Sequence, residues 1–211
     1  MKKLIAMLLV LVMVFSLVAC GNKNDNVEEP TVEETTPVEE PTVEETTPVE
    51  EPEADAAASG ALAVLEKIWT VTSDNEKFPA MGGDANNMVD GAPGVFDHTD
   101  VENLSYMLLV PVEQTANIDD AAALFHGMML NNFTCGAFHV TGDVDAFADA
   151  MYEAVKNNQW MCGFPESMIV AVVDNEYVLM AFGINDIMKP FVANVKEAHR
   201  TLDILYLEDI A

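Results

Sequence analysis

The eleven residues from Glu28 to Val38 recur unchanged from Glu39 to Val49, and Glu50-Glu51-Pro52 opens a further copy. A period of eleven suits a right-handed helical supercoil or a solenoid. The composition denies both. Proline recurs every few residues, each time removing a backbone donor and driving its predecessor out of the helical region. The only sizeable apolar side chains in the repeat are isolated valines, too few to repay the entropy of folding. Dense glutamates repel one another and favour extension, so this stretch reads as a stiff, acidic, polyproline-like tether. At roughly 3.1 Å per residue, residues 23–55 span on the order of 100 Å when drawn out. All the folding capacity of the 211-residue chain is thereby confined to residues 56–211, enough for one domain with a real core.

Ahead of the tether, Lys2 and Lys3 precede an apolar run from Leu4 to Leu17, which passes through Val18 and Ala19 into Cys20. The run is shorter than the roughly 20 residues a spanning helix needs, and no basic stop-transfer cluster follows it. An ordinary secretory leader would end at a small-residue site and release the protein; this one ends at a cysteine. Leu17-Val18-Ala19-Cys20 resembles the lipobox of bacterial lipoproteins. The resemblance implies that residues 1–19 are a signal peptide and that the Cys20 sulfur carries diacylglycerol; residues 20–55 are then the lipidated cysteine with its acidic, disordered linker. Each buried CH₂ of an acyl chain contributes about 0.8 kcal/mol, so the expected location is the extracytoplasmic face of the cell membrane, held by palmitate-like chains.

Net charge bounds the partners. The chain carries −27, but 13 of its 36 acids lie between Asp25 and Asp55, and three of its nine bases are Lys2, Lys3 and Lys23. The domain keeps 23 acids against six bases, or −17. Neutralising phosphates requires clustered Lys and Arg, so nucleic acid and anionic headgroups are poor partners. An envelope protein or peptide remains open, beside the plainer reading that acidity keeps an exposed surface soluble.

Within the domain, Leu62, Leu65, Ile68 and Trp69 share one face of a helix beginning near Ala61. Residues 78–97, punctuated by glycine and proline, read as a long loop. Residues 103–112 read as a strand ending near Pro111, and residues 117–131 as a helix with Asp119 and Asp120 at its positive end. A strand over 133–140 follows, then a helix started by Gly142-Asp143 with Phe147, Met151 and Val155 stacked four apart. Residues 168–173 and 177–182 form a hairpin about Asp174-Asn175-Glu176. A helix from Asn185 or Asp186 comes next, with Pro190 in its first turn and Lys196, His199 and Arg200 at its negative end. A strand over 202–207 closes the chain. The expected fold is α+β: a mixed or mostly antiparallel sheet in the ferredoxin-like order strand, helix, hairpin, helix, strand, with the helices on one face. Because the hairpin is apolar at successive positions, the sheet should be covered on both faces near its centre, with the N-terminal helices as the second cover.

Candidate chemistry is sparse. Phe133-Thr134-Cys135-Gly136 and Trp160-Met161-Cys162-Gly163 share a pattern, and a right-handed crossover between them would bring both cysteines to the same ends of parallel strands. Outside the cell, Cys135 and Cys162 are then a candidate disulfide closing a 28-residue loop; the alternatives are two small buried thiols or a redox pair. Cys162-Gly163-Phe164-Pro165 lacks the second cysteine of a Cys-x-x-Cys motif. Cys135-x-x-x-His139, with His126 and Cys162, offers zinc-type donors without paired spacing. Residues 84–91 offer oxygen donors but lack the glycine and glutamate of an EF-hand loop. The ten methionines beyond the leader read mostly as gap-filling core. No nucleophile elbow, phosphate loop, His-Glu-x-x-His or dinucleotide fingerprint occurs, so neither a cofactor nor a metal is implied and enzymatic activity has no evident carrier.

The lipobox, the acidic linker, Phe133-Thr134-Cys135-Gly136-Ala137-Phe138-His139 and Trp160-Met161-Cys162-Gly163-Phe164-Pro165 together resemble small Gram-positive surface lipoproteins of unknown function. Some of these are labelled bacteriocin transport accessory proteins. That label implies a thioredoxin-like oxidoreductase, and this chain departs from it by lacking Cys-x-x-Cys. The sequence therefore points to a lipid-anchored, non-catalytic binding or accessory module of the cell envelope. The alternative is a thiol-disulfide or other envelope enzyme using Cys135 and Cys162.

Overall fold

The computed structural model describes residues 60–210; the expected signal peptide, the lipidated Cys20 and the linker lie outside them. Gly60–Ile210 form an α+β domain around one antiparallel sheet. Its strands are β1 (Ala80–Gly82), β2 (Val89–Asp90), β3 (Gly94–Val95), β4 (Ile118–His126), β5 (Phe133–Val140), β6 (Ser167–Val173), β7 (Tyr177–Gly183) and β8 (Leu202–Asp209). Its helices are α1 (Ala61–Val71), α2 (Val101–Met107), α3 (Val144–Lys156) and α4 (Asn185–Ala198). Along the sheet the strands run β2-β1-β4-β5-β7-β6-β8, with β3 pairing β4 beyond β1.

The expected chain order strand, helix, hairpin, helix, strand is present from β5 to β8. The placement of both helices on one face is not. β5 and β6 are parallel to each other with β7 between them, and β7 and β8 are parallel with β6 between them. Both crossovers step the same way across the sheet, yet they leave from strands pointing in opposite directions. Right-handed connections then require α3 on one face and α4 on the other. The two cores match: Phe147, Met151 and Val155 of α3 pack with Phe138, Val170, Met180 and α2's Leu104. Met188, Phe191 and Val195 of α4 pack with Ile169, Leu179 and α1's Leu65 and Ile68. Every residue of β6 and of β7 is buried, because alternate side chains enter alternate cores.

Two-sided burial also explains where sequence reading fails. Residues 118–126 are strand β4, not a helix. Ala121 to His126 are all buried, and a continuous apolar run covered on both sides carries neither the helical nor the two-residue period. Asp119 and Asp120 do not cap this segment. A bulge lies between Ile118 and Asp120, and Asp120 Oδ2 accepts the Ala61 amide at 2.7 Å, so the carboxylate serves the N-terminus of α1. Residues 101–107 are α2 rather than a strand, capped by Asp100, whose carboxylate accepts the Asn103 amide. The long loop over 78–97 contains the three short strands β1 to β3.

The helix expected from Asn185 is α4, but Pro190 lies in its interior beyond the first turn, where it forfeits one intrahelical hydrogen bond. The amide of Asn185 is satisfied by Glu166 Oε2 at 2.7 Å, a second helix capped from a distant part of the chain. His199 is not a solvated cation at the end of this helix. It is buried, its Nε2 donates to Val64 O at 3.0 Å, and burial pushes its pKa below the ordinary value.

The remote cap of α1 carries a measurable consequence. Asp120→Ala should destabilise the domain by about 1 kcal/mol, the usual worth of an N-terminal carboxylate cap, with the native circular dichroism spectrum retained. Chemical denaturation of the two proteins checks it.

Candidate functional site

The strands divide the domain into two ends. At the entry end lie the start of β4, the end of β5 and the β6–β7 turn. The described chain enters here, with Gly60 N donating to Tyr177 Oη at 3.0 Å. The opposite end, the tip, is built by the β4–β5 connection (127–132) and the α3–β6 connection (157–166). Strands of seven or eight residues separate the ends by roughly 25 Å.

The entry end gathers titratable groups. His139 Nδ1 donates to Asp119 Oδ1 at 2.5 Å, Glu176 Oε2 lies 3.8 Å from Nε2, and the ring packs at 5.1 Å on Tyr177. The bond to Asp119 raises the His139 pKa above 6.5, outweighing partial burial, with the charges of Asp119, Glu176 and Asp120 adding to it. This cluster is a structural clamp between β4, β5 and the β6–β7 turn, holding the surface where α1 begins. On the other face at the same end, Asp143, Asp145, Asn175 and Asp203 line a shallow acidic cleft.

The tip is apolar and exposed. Met128, Met161 and Phe164 retain 81%, 77% and 74% of their accessible surface, and Met129 and Cys162 are also exposed. Scattered exposed apolar residues need no explanation, whereas several large ones on two neighbouring connections do. One side chain joins the two connections: Asn131 Nδ2 donates to the carbonyls of both Met161 and Gly163 at 3.0 Å. Beneath them Trp160 packs on Phe182 with ring centroids 4.8 Å apart, and its indole Nε1 is buried without an acceptor among the described residues. Cys162 has a left-handed backbone (φ 61°), a conformation that costs a non-glycine residue of order 1 kcal/mol or more.

Cys135 and Cys162 are both free thiols. Both lie toward the tip, but Cys135 is fully buried in the core beneath α1 and α4, where burial pushes its pKa well above 9.0. Cys162 stands on the exposed α3–β6 connection. His126 is buried, stacks on Phe78 and accepts the Met128 amide through Nδ1 at 3.2 Å. His139 lies near the far end of β5 from Cys135. Among the described residues no three His, Cys, Asp or Glu side chains converge on a metal-sized site.

Within residues 84–91 the Asp84 carboxylate accepts the amides of Asn86, Asn87 and Asp97. Burial opposes its ionisation, but these bonds prevail and hold its pKa below the ordinary value. It therefore organises the loop.

A helix over 117–131 places Met128 and Met129 on an apolar stripe, so the sequence pattern conceals their exposure. The α3–β6 connection was legible, since Trp160-Met161-Cys162-Gly163-Phe164-Pro165 sits between the helix stop Asn157-Asn158 and the next strand. No family model matches the chain, and no curated protein or solved structure was found similar to it.

The His139 clamp sets a pH dependence. Its folded pKa is raised, so the stabilisation is fully present below the unfolded value of 6.5 and is lost as pH rises through the folded value. The stability gap between wild type and His139→Gln should therefore shrink from pH 6 to pH 8. A gap that grows over this interval, measured by denaturant titration, would contradict the clamp.

Proposed function

We propose that this chain is a lipoprotein of the bacterial cell envelope, a non-catalytic binding module tethered through Cys20 and facing its ligand with the tip. One observation carries the reading. Met128, Met161 and Phe164 stand exposed on the two connections at the opposite end of the sheet from the point where the chain enters the domain. A tether attached at one end leaves the other free to meet a partner. The Leu17-Val18-Ala19-Cys20 sequence supports the lipid anchor. No helix among the described residues is long and apolar enough to cross a membrane.

The occupant of the tip on this reading is an envelope protein or peptide. Methionine-rich surfaces adapt to varied apolar contours at small cost, and the acidic domain disfavours nucleic acid. A catalytic reading finds less support. The buried, high-pKa Cys135 makes a poor nucleophile, and the His139 cluster is engaged in holding strands together.

Two variants separate anchor from recognition. Cys20→Ser should release the protein from membranes and leave an unprocessed leader, visible as a larger product on fractionation. Phe164→Asp should leave thermal stability within about 0.5 kcal/mol of wild type, as for an exposed site, while abolishing capture of envelope components by the detergent-solubilised chain. Equal capture by wild type and Phe164→Asp would refute recognition through the tip.

A further inference from the structure

β8 closes one edge of the sheet, and among the described residues no strand lies on its outer side. It has eight residues, as many as β5, whereas β2 at the other edge has two. Ile210 donates its amide to Glu166 O, and Thr201 O accepts the Asp174 amide, both on the side of β6. Backbone groups alternate in direction along an antiparallel strand, and the register with β6 slips by one residue between Ile204 and Tyr206. The N–H and C=O groups of Leu202, Ile204, Leu207 and Asp209 therefore point out of the sheet. Such a row is a template for a further strand.

The side chains along this edge select the strand that fits it. β8 carries Asp203, Glu208 and Asp209 and no base. Asp203 lines the acidic cleft with Asp143 and Asp145, and from α3 the Asp149 carboxylate accepts the Tyr206 hydroxyl at 2.6 Å. Glu208 is partly neutralised by Lys156, whose Nζ lies 3.7 Å away. A second copy of the chain would set these carboxylates against their own counterparts, an arrangement that like charges on paired strands penalise. The glutamates of the chain's own tether have the same sign and are disfavoured in the same way. We propose that β8 is a docking edge for an extended basic peptide segment, added to the sheet as a strand with lysine or arginine at alternate positions. Alternate side chains of a strand share one face about 6.8 Å apart, so those on the α3 face run along the acidic row from Asp203 to Glu208. The backbone groups supply the attraction, and the carboxylates that forbid self-pairing choose the partner. This surface is separate from the tip and stands whether or not the tip binds a partner.

The test is fluorescence anisotropy of labelled synthetic peptides, as long as β8, titrated with the detergent-solubilised full chain at about 0.15 M salt, where exposed charges more than about 8 Å apart are screened. One peptide alternates lysine with valine, one lysine with proline, and one glutamate with valine. The lysine-proline peptide keeps the charge but lacks the amides at alternate positions, so it measures plain attraction to the acidic tether and domain. The lysine-valine peptide should bind at least about tenfold more tightly than either of the others, the effect of two or more added backbone hydrogen bonds. Leu207→Pro removes an outward N–H without touching the ladder to β6 and should bring lysine-valine binding down to the lysine-proline level. Asp203→Asn/Asp209→Asn should weaken it about tenfold and serves alone should Leu207→Pro not fold. Equal binding of the lysine-valine and lysine-proline peptides, or undiminished binding by Leu207→Pro, would overturn the proposal. So would a dimer of the wild type in sedimentation that Leu207→Pro dissolves, which would give the edge to a second copy.

Discussion

The fold depends on burying both faces of the β5-β7-β6 sheet. These three strands contribute side chains alternately to the core under α3 and to the core under α1 and α4. Each side chain of this size withdrawn from water contributes roughly 1.5 to 3 kcal/mol, and neither face can be left open without exposing a row of them. The strand order meets this demand. Two right-handed crossovers stepping in the same direction from oppositely directed strands place their helices on opposite sides. A ferredoxin-like arrangement of the same chain order would return both helices to one side.

Once the sheet is closed above and below, little of its surface remains for recognition. What remains lies at the two ends and at the edges formed by β2 and β8. The entry end is occupied by polar fastenings: Asp120 on the N-terminus of α1, Tyr177 on Gly60, and His139 between Asp119 and Glu176. At the tip the connections hold one another through Asn131 and turn sulfur and aromatic side chains outward. The asymmetry between a fastened end and an apolar end gives the domain a direction, and the proposed anchor and ligand follow that direction.

Legibility in the sequence tracked the kind of physical signal each segment carried. α3 is legible because Phe147, Met151 and Val155 recur at the helical spacing and Asp143 caps it through the Ala146 amide. The β6–β7 hairpin is legible from its apolar runs and the turn at Asp174-Asn175, both left-handed in the structure. β4 is not legible, because burial on both faces erases its period and its alanines favour helix as an isolated segment. Nor is the cap on α1: Asp120 lies 59 residues from the amide it satisfies, and only the folded sheet brings them together. Neither half of the tip shows its exposure in the sequence: its methionines pass for gap-filling core, Cys162 for a thiol at a strand end, and Met128 and Met129 lie in a segment patterned as a helix.

Burial on both faces means that the central strands can open only with the whole fold, whereas the exposed side chains of the connections at the tip belong to neither core. Native-state amide hydrogen exchange distinguishes the two regions. Amides of Ile169–Val172 and Val178–Ala181 are expected to exchange only through global unfolding, with a denaturant dependence equal to that of the whole domain. Those of residues 157–164 should exchange through local opening, orders of magnitude faster. Comparable rates in the two sets, or strand amides opening independently of global unfolding, would contradict it.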